Sequence, residues 1–212
     1  VLGGEAGEAV FADFSAALQK AQAEGRILTA SLFRYENHLF FYAEGLNRPF
    51  TPQGLCPALD AALLPWPPAL GEAAPRPWAA MQPYFYHDVP TTAADWQQGR
   101  CPQRRRGRIA LLPPDSWCSY MEHHLRIVTE GLVEGDRWHL ICVQEGVLFS
   151  YLEEPRTNVN IKHQPGAHSP ELDAWIAADP ESHFARFTPE QKAHPDSSHN
   201  FVFLPRIAGT ED

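Results

Sequence analysis

The chain has 212 residues, 44% of them hydrophobic and 20% charged, which is enough apolar content for a buried core in one large domain or two small ones. Its formal charge of −9, with acids and bases interspersed, argues against a nucleic-acid partner or an anionic membrane surface. No apolar run nears the roughly 20 residues of a membrane helix, Val1–Ala12 lacks the pattern of a signal peptide, and a soluble protein is expected.

The first predicted element is a helix. "VFADFSAALQKAQAEG" sets apolar residues near positions 10, 11, 14, 17, 18 and 21 and stops at Gly25. "RILTASLFRYENHLFFYAE" follows as a hairpin whose two apolar runs break at Glu36-Asn37. Next come a Pro-rich loop, the alanine-rich helix "PALDAALLPW", the pair Trp78 and Met81, and a strand-like "PYFYHDV". Alternation along that strand puts Tyr84, Tyr86 and Asp88 on one face and Phe85 and His87 on the other. "TTAADWQQGRCPQRRR" is polar and charged and reads as a linker, with Arg104–Arg108 solvated or, alternatively, an anion-binding patch.

The second half repeats this order. "GRIALLPP", Gly107–Pro114, is a strand, "SWCSYMEHHLRIVTEGL" is an amphipathic helix, and "RWHLICVQEGVLFSYLEE" is a hairpin turning at Glu145-Gly146. The helix "ELDAWIAADP", the pair Phe184 and Phe187, and the closing strand "NFVFLPR" complete the match. An order-matched series of this length reads as duplication. The expected division is a first unit over 1–95, a linker over 96–106 and a second unit over 107–212. Each unit reads β-α-β-β-α-β, with the first strand of the first unit short or missing, since only "VLGGEAG" precedes Glu8. The expected fold class is therefore α+β: two tandem ferredoxin-like units whose antiparallel sheets pack face to face as an intramolecular dimeric α/β barrel. The chain would be a monomer with an internal pseudo-dimer, or a homodimer of it.

Chemistry concentrates in the second unit. Tyr120 and His124 lie four residues apart and share one face of their helix, whereas His123 points about 100 degrees away. A histidine with an ordinary pKa of about 6.5 exchanges protons near neutral pH. His139 and Trp138 are expected to alternate along a strand, one toward the site and one away. The loop Asn158–His168 has the polar, Gly/Pro-marked composition of a lid or of an ordinary connection, and His163 and His168 would bind metal only beside carboxylates, so no metal site is predicted. Cys56, Cys101, Cys118 and Cys142 have neither CxxC nor paired-His spacing and read as free thiols in a reducing compartment, the cytoplasm. Nucleotide-loop, HExxH and GxSxG motifs are absent.

These residues resemble the L-rhamnose mutarotase group of the dimeric α/β-barrel superfamily. The resemblance covers about half the chain. It rests on "YMEHH" with Tyr120 and His124 early in the helix, on "WHLICVQEGVLFSYLEE", on "ADPESHFARF" and on "FVFLP". Where that family presents a tyrosine on its second strand this sequence has His139, and where it has paired tryptophans it has His183 and Phe184. The resemblance implies a cofactor-independent sugar mutarotase or epimerase acting on a small molecule, a monosaccharide. His124 and Tyr120 would be the acid-base pair, and His139, Trp138, His183 and Phe184 would contact the substrate. The same barrel also serves small monooxygenases and haem-binding proteins, and a third reading is a non-catalytic ligand-binding or interaction module.

Overall fold

The computed structural model describes the chain apart from residues 5–6, 47–49, 87–90, 132, 135, 157–161, 193–194 and 211–212 and the side chains of 133–134 and 162–163. In chain order the elements are α1 (Glu8–Ala23), β1 (Thr29–Tyr35), β2 (His38–Glu44), α2 (Pro57–Ala62), β3 (Gln82–Tyr86), α3 (Ala93–Gln97), β4 (Arg104–Leu111) and α4 (Pro114–Glu130). They continue with β5 (Val133–Glu134), β6 (Leu140–Gln144), β7 (Val147–Glu154), β8 (Lys162–His163), α5 (Pro170–Ala177), a 3₁₀ turn at Pro180–His183, β9 (Val202–Leu204) and β10 (Arg206–Gly209). The fold is α+β, with antiparallel sheets of three strands, β10-β1-β2, and five strands, β3-β6-β7-β4-β9, and a two-stranded β5-β8 ribbon.

Two compact units form, but they are not consecutive halves of the chain. The first comprises residues 1–80, 90–101 and 205–212, and the second comprises 81–89 and 102–204. The expected boundaries, 1–95 and 107–212, are therefore crossed twice. β3, from the first half, bonds to β6 at the edge of the five-stranded sheet, and β10, from the end of the second half, bonds to β1 at the edge of the three-stranded sheet. β1 and β6 each open a hairpin, so the exchange is reciprocal. Pro83 tolerates its place because an edge strand can spare an N–H donor.

In the first unit α1 buries Phe11, Phe14, Leu18 and Ala21. Phe14 stacks at 6.5 Å on Trp78, whose indole N–H donates to Asp60 at 3.1 Å. Within the stretch expected as a linker, Trp96 of α3 is buried, and Arg104–Arg106 already belong to β4. That strand begins three residues before Gly107 because each arginine has a cross-strand partner on β7, from Arg104 opposite Glu154 to Arg106 opposite Leu152.

In the second unit β4 is followed by α4, and the chain returns on β6 with β7 between the two, a split β-α-β arrangement. Glu145 and Gly146 both take positive φ in the two-residue turn that joins β6 to β7, as a primed hairpin turn requires. Gly146 has a second reason to lack a side chain, since a Cβ there would lie 2.8 Å from the Leu112 carbonyl oxygen. α4 ends at Gly131, whose φ of 66° caps it in the left-handed conformation.

Candidate functional site

Helix α4 is amphipathic, and its buried stripe is Tyr120, His124 and Ile127. Tyr120 and His124 are each only 4% exposed, so the helix phase read from the sequence turns both inward. Their rings lie 4.3 Å apart. Trp175 of α5 stands edge-on to His124 at 4.5 Å, and Tyr84 and Phe85 of β3 stand edge-on to it at 5.5 Å each. Phe184 meets Tyr120 at 5.2 Å, and His183 meets it at 5.9 Å. His183 also reaches Ser119, with Nε2 and Oγ 3.5 Å apart.

His139 joins this group from a different local structure than alternation predicts. It sits in the turn just before β6, not within the strand, and its ring packs edge-on to Phe85 at 5.6 Å. Trp138 belongs to the same turn and instead takes the Arg137 guanidinium over its ring at 4.8 Å. Of the six predicted residues, His124, Tyr120, His139, His183 and Phe184 converge around the aromatic cluster of Tyr84, Phe85 and Trp175. On β3 the two-face reading fails. Tyr84 and Phe85 are both buried, because the register with β6 slips between Pro83 and Phe85 and the bulge turns successive side chains inward. His87 and Asp88 lie outside the described residues.

The His124 tautomer is set by one hydrogen bond. Nδ1–H donates to the Tyr120 carbonyl oxygen at 2.9 Å, which leaves the Nε2 lone pair as the acceptor. Burial pulls the His124 pKa down to about 4, His123 and His183 pull the same way, and only the bond to the Tyr120 carbonyl resists. His124 is thus a neutral base at physiological pH. Burial also holds the His139 pKa well below its ordinary value, reinforced by Arg108, Arg156 and His124. The Tyr120 phenol is pushed up to about 12 by burial, with the neighbouring Tyr84 hydroxyl and Arg108 pulling back, and burial raises Tyr84 further still. Both phenols are protonated donors.

Several polar atoms here have no protein partner among the described residues. Arg108 Nε, His139 Nε2, His183 Nδ1 and His123 Nδ1 are all shut off from solvent and unbonded. Leaving a buried polar atom without any hydrogen-bond partner costs about 1–3 kcal/mol. Sequence patterning names Arg108 only within the Arg104–Arg108 alternative of an anion-binding patch, places Tyr84 on a strand face without joining it to His124, and does not reach Trp175. A signal exists for Arg108, which shares the strand face of Ala110 in an otherwise apolar run, and for Trp175, three residues from Leu172 on one helix face.

A separate groove of about 1250 Å³ runs along another stripe of α4, past Trp117, Met121 and Leu125 to Val143, and holds none of the predicted residues. Among the described residues no three His, Cys, Asp or Glu side chains gather as metal ligands. His168 lies 3.4 Å from Asp173, and the His163 side chain is outside the described residues. The four cysteines are free thiols, and Cys142 is buried. No helix among the described residues is long and apolar enough to cross a membrane. In comparisons with known proteins the chain matches no family model, no curated protein and no solved structure.

Proposed function

We propose that the protein is a cofactor-independent sugar mutarotase or epimerase-like enzyme that acts on a small carbohydrate by proton transfers at His124 and Tyr120. The observation that carries this reading is the tautomer of His124, a buried neutral imidazole with its lone pair on Nε2, whose ring lies 4.3 Å from that of a protonated phenol. Ring opening of a cyclic sugar needs a base at the anomeric hydroxyl and an acid at the ring oxygen. His124 Nε2 takes the hydroxyl proton as C1=O forms and the C1–O5 bond breaks, while the Tyr120 O–H gives its proton to O5. Rotation about C1–C2 turns the other carbonyl face to O5, and as the ring closes the protonated His124 gives its proton to the carbonyl oxygen while the Tyr120 phenolate takes back the proton of O5. His139 and His183 hold sugar hydroxyls, and Phe184 packs on the ring. The reciprocal exchange of β3 and β10 supports the proposed architecture, two tandem ferredoxin-like units forming an intramolecular dimeric barrel. Four free thiols support a cytoplasmic setting.

Saturation-transfer NMR on a panel of aldoses tests the reading. The expected result is protein-dependent acceleration of anomer exchange, and a loss of about 10²- to 10⁴-fold in His124→Gln. Equal exchange rates with and without protein across the panel would overturn it. The aromatic walls of Phe85, Trp175 and Phe184 favour a second reading, an apolar-substrate monooxygenase or haem-binding protein. A Soret shift on titrating haem, reduced in Trp175→Ala, would move that reading ahead.

A further inference from the structure

The arginine-rich start of β4 separates into two kinds of residue. Arg104 lies 3.9 Å from Glu154, Arg105 lies 3.9 Å from Glu153, and Arg106 pairs with Glu154 at 3.0 Å and Asp196 at 2.8 Å. Arg108 has no carboxylate partner among the described residues. Its guanidinium carbon lies 4.2 Å from the centroid of the Phe201 ring, and its Nε is shut off from solvent without a hydrogen bond. The residue keeps some exposed surface, but its charged end is deep.

Among the described residues its surroundings offer no carboxylate to neutralise that charge. The groups that act on it are the phenols of Tyr84 and Tyr120 and a second cation, Arg156. Arg156 is already neutralised, because its Nε donates to the buried Asp136 carboxylate at 2.7 Å. Burial and Arg156 bring Arg108 down to about 10, so it still carries its charge at neutral pH. Next to it His139 is held neutral, partly by Arg108 itself, with a buried unbonded Nε2 of its own. A buried cation without a counter-ion is unfavourable, and a guanidinium fork matches the paired oxygens of a carboxylate or phosphate.

We propose that the ligand of this site carries an oxyanion, a carboxylate or a phosphate group, and that Arg108 binds it. The proposal rests on the proton-transfer site described above and narrows its substrate from a sugar to an acidic sugar or sugar phosphate. The polyol part faces Tyr120 and His124 while the anionic end reaches β4. An anion beside Arg108 also offsets the Arg108 contribution that, after burial, lowers the His139 pKa.

The test observes Arg108 directly. The Nε–Hε resonance of Arg108, identified by its loss in Arg108→Lys, is followed while inorganic phosphate or acetate is added to the full-length protein. A saturable shift with either ion supports the proposal, and the ion that acts at the lower concentration tells phosphate from carboxylate. Glucose 6-phosphate and glucuronate are then compared with glucose by calorimetry. At least tenfold tighter binding of one anionic sugar is expected, falling at least tenfold in Arg108→Met and less in Arg108→Lys. No saturable response of the Arg108 Nε–Hε to either ion, or anionic-sugar binding unchanged in Arg108→Met, overturns the proposal. The binding readouts are independent of anomer exchange. Anion binding without any exchange activity would sink the mutarotase reading alone, and exchange of neutral sugars with a silent Arg108 would sink the anion assignment alone.

Discussion

Helices α1 and α4 each lead into a hairpin and bury residues at the same i, i+4, i+7 spacing. In α1 these are Phe14, Leu18 and Ala21, and in α4 they are Tyr120, His124 and Ile127. One stripe is wholly apolar, and every atom on it is satisfied by packing. The other carries a phenol and an imidazole at the first two positions, where α1 has a phenyl ring and a leucine. Burying the imidazole depresses its pKa, so the second helix holds a reactive group at the expense of stability in acid. Equal spacing with unequal chemistry sets the buried phenol-imidazole pair of the second unit apart from the apolar stripe of the first.

The comparison breaks first on ring removal. Phe14→Ala should destabilise the protein by about 3–5 kcal/mol, because it empties a fully packed aromatic position. Tyr120→Phe keeps the ring and should change stability by less than about 1.5 kcal/mol. Urea unfolding of the full chain measures both, and a Tyr120→Phe loss as large as that of Phe14→Ala would make the phenol a structural anchor instead of a donor held for a ligand.

Acid sharpens the comparison next. The His124 pKa is lowered from 6.5 to about 4 in the folded protein, so between those values the unfolded chain binds a proton that the folded one excludes. Its contribution is fully present above about pH 6.5 and is lost as pH falls toward 4, on the order of 3 kcal/mol in all. His124→Leu gives α4 the α1 pattern and should remove that slope. The slope from His139, which has the same sign, stays. Unfolding midpoints of both proteins from pH 7 to pH 4 decide it, and parallel curves would show that His124 titrates normally.

The smallest effect is expected where the two helices agree. α1 runs into Gly25 at φ 69° and α4 into Gly131 at φ 66°, and a Cβ at either would meet nothing within 4 Å. Gly25→Ala and Gly131→Ala should each cost about 1 kcal/mol, from backbone strain alone. Thermal unfolding of the two variants would show unequal shifts if one of these ends were held by contacts beyond its cap.

Local periodicity made much of this legible. The inward turn of Tyr120 and His124 follows from 3.6 residues per turn and an apolar stripe, and both hairpins follow from apolar runs around Glu36-Asn37 and Glu145-Gly146. His139 was readable as a site residue but not as a turn residue, since the apolar run "LICV" extends naturally back through "WH". Tyr84 was hidden by a bulge, which shifts strand phase by one residue and leaves no mark in an alternating sequence.

By itself, then, the sequence determined α1, α2, α4 and α5, the hairpins β1-β2 and β6-β7, and the face on which the histidine and tyrosine lie. Each of these depends on residues only a few positions apart. Tertiary structure alone decided which strand edge each half would use, sending β3 to β6 and β10 to β1, and so brought Tyr84 to a helix some 40 positions downstream. It also decided that Arg104, Arg105 and Arg106 find carboxylates while Arg108 finds aromatic rings. The physical reason is common to both. Strand edges and charges are satisfied by whichever partners the folded chain brings near, and distance along the sequence carries little information about that proximity.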